Sequence, residues 1–228
     1  MLADTRMLHI DSLSGLRMDL YSRGGKVGES TLIVGAEKPG AENCLHWPQA
    51  QLRDQVLQEW KVGFVKNHTA AISLDSLEGM NGSDSVHVTT ELARLASKQP
   101  ESSDPDFQGL PFAVRKAYRF SAGSTSVLVG NIVRKINQEA NPRDENILLI
   151  AERMKTGRVY QKVYYKRVAG SEDIVQTSEV LAAVMLVASG RPFLVLSLED
   201  AEGGRTALLE RAGSGVWKIA WRSAYTGC

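Results

Sequence analysis

The C-terminal half of this chain is a series of long apolar-rich runs broken by short turns that carry glycine. ENILLIAERM and RVYQKVYYKRV flank KTG, FAVRKAYRF and STSVLVGNIVRKI flank SAG, and PFLVLSLED, RTALLER and VWKIAW are separated by AEGG and AGSG. Runs of this kind joined by turns this short are β-hairpins, because a helical crossover needs a dozen or more residues. In VWKIAW, Trp217, Ile219 and Trp221 alternate with Lys218, Ala220 and Arg222, the period of a half-buried antiparallel strand. Pro192 opens its run, where a missing N–H is tolerated. The N-terminal runs GLRMDLYSR, STLIVGAE and EWKVGFV read the same way, and TAAISLDSL is placed to pair with the last across KNH.

Two segments carry both signals. SVLVGNIVRKINQEANP has Val129, Ile132, Val133 and Ile136 at helical spacing, and TSEVLAAVMLVASG is similar. Their β-branched content and hairpin context assign both to strands. TTELARLASKQ is a helix, with Thr89 or Thr90 as its cap, Leu92, Leu95 and Ala96 on one stripe and Pro100 as its stop. The expected fold is therefore mainly β: an antiparallel meander forming a curved sheet or barrel-like domain, with one or two short helices. Residues 1–228 read as one domain. PESSDPDFQGLP is the one internal boundary, giving a two-lobed alternative divided near 99–111. A faint internal echo sets Trp60, Val62 and Phe64 on Trp217, Ile219 and Trp221.

With 228 residues, 43% hydrophobic and 23% charged, the composition is that of a globular protein, and a formal net charge of +1 gives no global attraction to nucleic acid or membrane. The longest apolar run, VLAAVMLVA, is far shorter than the ~20 residues that span a bilayer. The two cysteines are Cys44 and Cys228. Cysteine favours burial, and a chain terminus is a poor place to bury one. A Cys44–Cys228 disulfide accounts for this position. The chain-entropy relation gives such a loop ~4–5 kcal/mol. With the bridge goes an oxidising, extracytoplasmic setting, periplasmic or secreted. MLADTRMLHIDS is not a signal peptide, so that reading requires a leader absent from this sequence. The alternative is a cytoplasmic protein with two free thiols.

Strong catalytic signatures are missing: no G-x-S-x-G, no H-E-x-x-H and no paired C-x-x-C. GGKVGES is a turn rather than a phosphate loop, because Val27, not Ser or Thr, follows Lys26. Cys44 and His46, with His68 or His9, do not complete a zinc site, and neither metal nor cofactor is expected. The acidic clusters EDAEGG (Glu199, Asp200, Glu202) and RDE (Arg143, Asp144, Glu145) read as solvated turns. Asn67-His-Thr69 and Asn81-Gly-Ser83 match the glycosylation pattern at a frequency chance supplies.

RVYQKVYYKR carries the binding hypothesis. In an extended strand Arg158, Tyr160, Lys162, Tyr164 and Lys166 share one face, and Val159, Gln161, Val163 and Tyr165 the other. An outward row of cations and rings suits an anionic or carbohydrate-like ligand. The same row also fits an exposed strand that uses tyrosine for β propensity and lysine against edge aggregation. The expected function is a non-catalytic binding or interaction module. A hydrolase using carboxylates in a sheet cavity and a structural accessory domain are the alternatives.

Overall fold

The structure, a computed structural model, describes residues 10–34, 50–54, 56, 58–154, 156–157 and 159–227. Cys44, Cys228 and Arg158 lie outside the described residues, and the expected disulfide with them. The chain is mainly β, with 57% of residues in strands and 12% helical. Antiparallel pairing is the rule throughout, and barrel closure is not found among the described residues.

Three sheets and a helix stack in layers. The N-terminal sheet has the order β3-β2-β1-β4, from β1 (Arg17–Ser22), β2 (Gly25–Val34), β3 (Ala50–Leu52) and β4 (Val62–Val65). The middle sheet runs β14-β13-β12-β11-β5: β5 (Thr69–Ile72), β11 (Thr177–Leu186), β12 (Arg191–Asp200), β13 (Gly203–Gly213) and β14 (Val216–Arg222). β15 (Thr226–Gly227) adds a short pairing to β13. The third sheet runs β10-β9-β8-β7-β6: β6 (Asp75–Ser76), β7 (Ala113–Ala122), β8 (Thr125–Ile136), β9 (Arg143–Met154) and β10 (Gln161–Ser171). Helix α1 (Gly82–Ser97) covers its outer face.

Each interlayer space has its own core. Val88, Leu92 and Leu95 of α1 meet Leu128, Ile132, Ile147 and Leu149. Between the third and middle sheets, Phe120, Val129, Leu148 and Ile150 pack on Leu194, Leu196, Leu209 and Trp217. Tyr21, Val62 and Phe64 close the N-terminal sheet onto Val184, Phe193, Val195 and Leu208. Strands β8, β9, β11 and β12 are therefore apolar on both faces, and their sequences run apolar without clean alternation for that reason. Gly130 in β8 lets α1 approach: a Cβ there would meet Leu92 Cδ1 at 2.8 Å.

Several expectations are corrected. The helix begins at Gly82, capped by Asn81, whose Oδ1 accepts from Asp84 N at 2.8 Å. Thr89, expected as the cap, lies mid-helix and donates to Ser85 O at 2.9 Å. β5 pairs with β11 rather than with β4. In β14 the register slips between Ile219 and Trp221, so Trp217 and Ile219 enter the intersheet core while Trp221 packs on the opposite side, toward Tyr21. The echo also fails at Trp60, which is exposed where Trp217 is buried. Asp144 and Glu145 are not in a turn: they lie in β9, buried, beside Lys135 and Arg134 respectively.

Candidate functional site

Strand β10 carries three of the five expected binding residues, Lys162, Tyr164 and Lys166, and with Tyr160 they do not form one face. Tyr160, just before the strand, is 4% exposed and packs in the helix-side core, with its hydroxyl 2.7 Å from Ser126 Oγ. The register against β9 slips between Lys162 and Tyr164, where a residue is inserted. The slip turns Val163 and Tyr164 together toward the intersheet core, while Tyr165 faces the helix side. Lys162 is exposed at one end of the strand, Tyr164 is half-buried, and Lys166 enters the far end of the intersheet layer. The uniform outward row is thus replaced by two separated cations, one at each end of the sandwich.

At the far end the core changes character. Cross-strand neighbours Lys116, Asn131, Leu148 and Lys166 form one row over β7, β8, β9 and β10, with Asn146 in the next row. Opposite stand Gln176, Ser178 and Glu179, which belong to β11 and the crossover leading into it. Between them is a cleft of about 190 Å³. Pockets for drug-sized molecules run ~300–1,000 Å³, so this one suits a small group.

The cleft is polar and short of negative charge. Lys166 Nζ donates to Gln176 Oε1 at 2.5 Å and has no carboxylate within salt-bridge reach among the described residues. Burial, followed by Arg222 and Arg205, holds its ammonium below the ordinary 10.5. Arg205 and Arg222 also have no ion-pair partner among the described residues. The Arg205 guanidinium carbon lies 5.5 Å from the Tyr225 ring centroid, and its Nε is buried without a hydrogen bond. The register places both arginines on the cleft side, since Arg222 pairs with Ala207 and Arg205 stands two residues before it. Across the cleft, Glu179 is shared: Lys116 Nζ sits 3.1 Å from its Oε1, and Arg23 donates to the same oxygen and, at 2.8 Å, to Val180 O. Burial, then Arg23 and Arg115, keeps the Lys116 ammonium below its usual value.

Two amides add unmet hydrogen-bonding capacity. Asn131 Nδ2 donates to Ser178 O and ties the sheets together, which fixes the amide's orientation and leaves Oδ1 buried without a partner. Asn146 Nδ2 is likewise unpartnered. Such atoms cost ~1–3 kcal/mol each when desolvated and unpaired, so a polar group entering here recovers energy.

Of the carboxylates considered for hydrolysis, Asp144, Glu145 and Asp200 are engaged, Glu199 accepts from Ser197 at 2.5 Å, and Glu202 is exposed. Glu145 Oε2 accepts from Arg134 Nε at 2.6 Å, and Asp144 lies 3.2 Å from Lys135. Asp200 accepts from the Tyr225 hydroxyl at 2.6 Å and from the N–H groups of Glu202 and Gly203. The Asp200 contact pushes the Tyr225 phenol up to about 12. Among the described residues, no three His, Cys, Asp or Glu side chains cluster as a metal site would require.

Sequence reasoning found Tyr164 and Lys166 but missed Lys116, Asn131, Asn146, Arg205 and Arg222. The signal was present, since Asn131 and Arg205 are polar residues at core-parity positions of otherwise apolar strands. No protein-family model, curated protein or solved structure matches the chain.

Proposed function

We propose that this protein is a binding module whose intersheet cleft takes a small anionic ligand, a carboxylate or phosphate ester, acidic sugars included. One observation carries the reading: Lys166 lines the cleft, partly buried and without a carboxylate partner among the described residues, beside the unpaired amides of Asn131 and Asn146, while Arg222 and Arg205, outside the cleft lining, add positive potential at its ammonium. Cations left unpaired and partly desolvated are costly unless a counter-charge arrives. Binding is favoured over carboxylate-based hydrolysis because Asp144, Glu145 and Asp200 are each committed to structural partners. The proposal includes an extracytoplasmic location, which rests on the two cysteines.

The test is titration of the isotopically labelled protein with phosphate, acetate, glucuronate and neutral glucose, followed by amide and lysine shifts. Anions should give saturable shifts around Lys166, and glucose alone should not. A charged hydrogen bond contributes ~1.5–3 kcal/mol, so Lys166→Met should weaken anion binding at least tenfold. Unchanged affinity in Lys166→Met, or no saturable response to any anion, would rule the cleft out.

A further inference from the structure

The end of the sandwich opposite the cleft has a different surface. The β7–β8, β9–β10, β11–β12 and β13–β14 hairpins all turn there. Thr125 pairs with Met154 across β8 and β9, Glu152 binds the Gly215 N–H and the Trp217 indole, and Arg191 binds Glu210. Three of the four hairpins present a large aliphatic side chain to solvent: Met154 and Val159 (51% and 62% exposed), Val187 (61%) and Val216 (52%). Isolated exposed aliphatics are ordinary, but several gathered at one end mark a contact surface.

Charge at this end is one-sided. Among the described residues of 121–127, 152–162, 185–193 and 210–218 there are five basic side chains, Arg153, Lys162, Arg191, Arg211 and Lys218, against two acidic ones, in a chain whose formal net charge is +1. Both acidic residues are turned inward: Glu152 is held by Arg211, and Glu210 by Arg191 at 2.7 Å, with Lys218 at 3.8 Å. Lys162 is exposed, and Arg153 lies over the Tyr160 ring at 4.5 Å. The carboxylates on the flank are paired: Asp75 and Asp84 with Arg119, and Glu91, next to the Tyr160 backbone, with Arg94 at 2.6 Å.

We propose that this hairpin end docks on the surface of an anionic lipid bilayer. The aliphatic tips enter the headgroup boundary and the surrounding cations face the lipid phosphates. Aliphatic tips ringed by lysine and arginine match a surface that is apolar beneath and negative above. A nucleic acid offers no apolar layer for four aliphatic chains, and Tyr160 and Trp217, the rings next to Val159 and Val216 in sequence, are buried rather than free to stack. Docking here leaves the cleft at the opposite end accessible, so the two sites are independent.

Co-sedimentation decides it, using the full chain with vesicles of neutral phosphatidylcholine and of phosphatidylcholine mixed with phosphatidylglycerol. The protein should pellet with the mixed vesicles, stay in solution with the neutral ones, and release as salt rises. A basic residue near such a surface is worth ~1 kcal/mol, so Lys162→Glu, a reversal of two charges, should weaken binding on the order of 25-fold. Val159→Ser with Val187→Ser should weaken it about tenfold or more, with the circular dichroism unchanged because both side chains are exposed. Absence from the mixed-vesicle pellet would overturn the proposal. So would retention on heparin and on vesicles that the valine substitutions leave untouched, which would point to a generic polyanion surface.

Discussion

Removing the Glu152 carboxylate tests what joins the two large sheets at the hairpin end. Its Oε1 accepts from Arg211 Nε at 2.7 Å and Trp217 Nε1 at 2.6 Å, and its Oε2 from Arg211 Nη2 at 2.9 Å and Gly215 N at 3.1 Å. Four donors from the β13–β14 hairpin thus meet one side chain of β9, which is 7% exposed. In Glu152→Ala the Arg211 charge, an indole N–H and a backbone N–H all lose their acceptor. Breaking one partner of a buried pair costs about 3–5 kcal/mol. A chain of this size loses ~2–4 °C in Tm per kcal/mol, so the expected fall is roughly 6–20 °C. Urea denaturation should show a lower midpoint with an unchanged slope. Arg211→Met alone should also be costly, and the double variant should cost clearly less than the two singles combined. A Glu152→Ala loss below about 1 kcal/mol, or strict additivity in the cycle, would refute the reasoning.

The same contact predicts a pH dependence. Burial alone would raise the Glu152 carboxyl, but hydrogen bonds from Arg211, Trp217 and Gly215 outweigh it and hold it below the ordinary 4.5. The carboxyl is therefore easier to ionise folded than unfolded. Its contribution is present above the unfolded value and is lost as pH falls through the folded one. Glu152→Gln should flatten that part of the acid-denaturation profile.

Gly130→Ala should destabilise by about 1–3 kcal/mol, read by chemical denaturation, because the added methyl meets Leu92, itself fully buried under α1. Asn81→Ala should cost ~1 kcal/mol by the same measurement, since it removes the helix cap. Because the Lys166 ammonium is held below 10.5, anion affinity should start to fall at a lower alkaline pH than free lysine titration would give, as titration calorimetry across pH will show. Thiol counting under denaturing, non-reducing conditions should find no free thiol if Cys44 and Cys228 are bridged, and two if they are not.

The hairpins of the C-terminal half were legible because every turn read between their strand runs carries glycine, and in two of them it needs the conformation it adopts: Gly123 of SAG and Gly215 of AGSG sit at φ of 60° and 70°, where a side chain would be strained. The strand character of β8 and β11 was harder to read, because burial on both faces removes the alternation that distinguishes a strand from a helix. The start of α1 was hidden for another reason. Asn81-Gly-Ser-Asp reads as a turn, and only its position ahead of Val88, Leu92 and Leu95 makes Asn81 a cap. What sequence periodicity could not register was the insertion of single residues. One slip between Lys162 and Tyr164 separates the tyrosines, and one before Trp221 sends that ring to a different core.

These slips bear directly on function. A strict period of two would have put Tyr160, Lys162, Tyr164 and Lys166 on one solvent face of β10, with β10 as a flat edge available to any passing strand. The inserted residue instead presses Val163 and Tyr164 into the intersheet core, where Val163 meets the Gly215 turn and β10 lies against β14. Two of the four edges of the two large stacked sheets, β10 and β14, thereby cover one another. The lysines on either side of the slip are carried to opposite ends. Lys162 stays with the exposed valines of the hairpin tips, and Lys166 reaches the arginines of β13 and β14. One bulge therefore separates a surface suited to a charged bilayer from a cleft suited to a small anion. A variant that deletes Val163 to restore the regular register should lose both together, as vesicle and anion binding measured on the same sample would reveal.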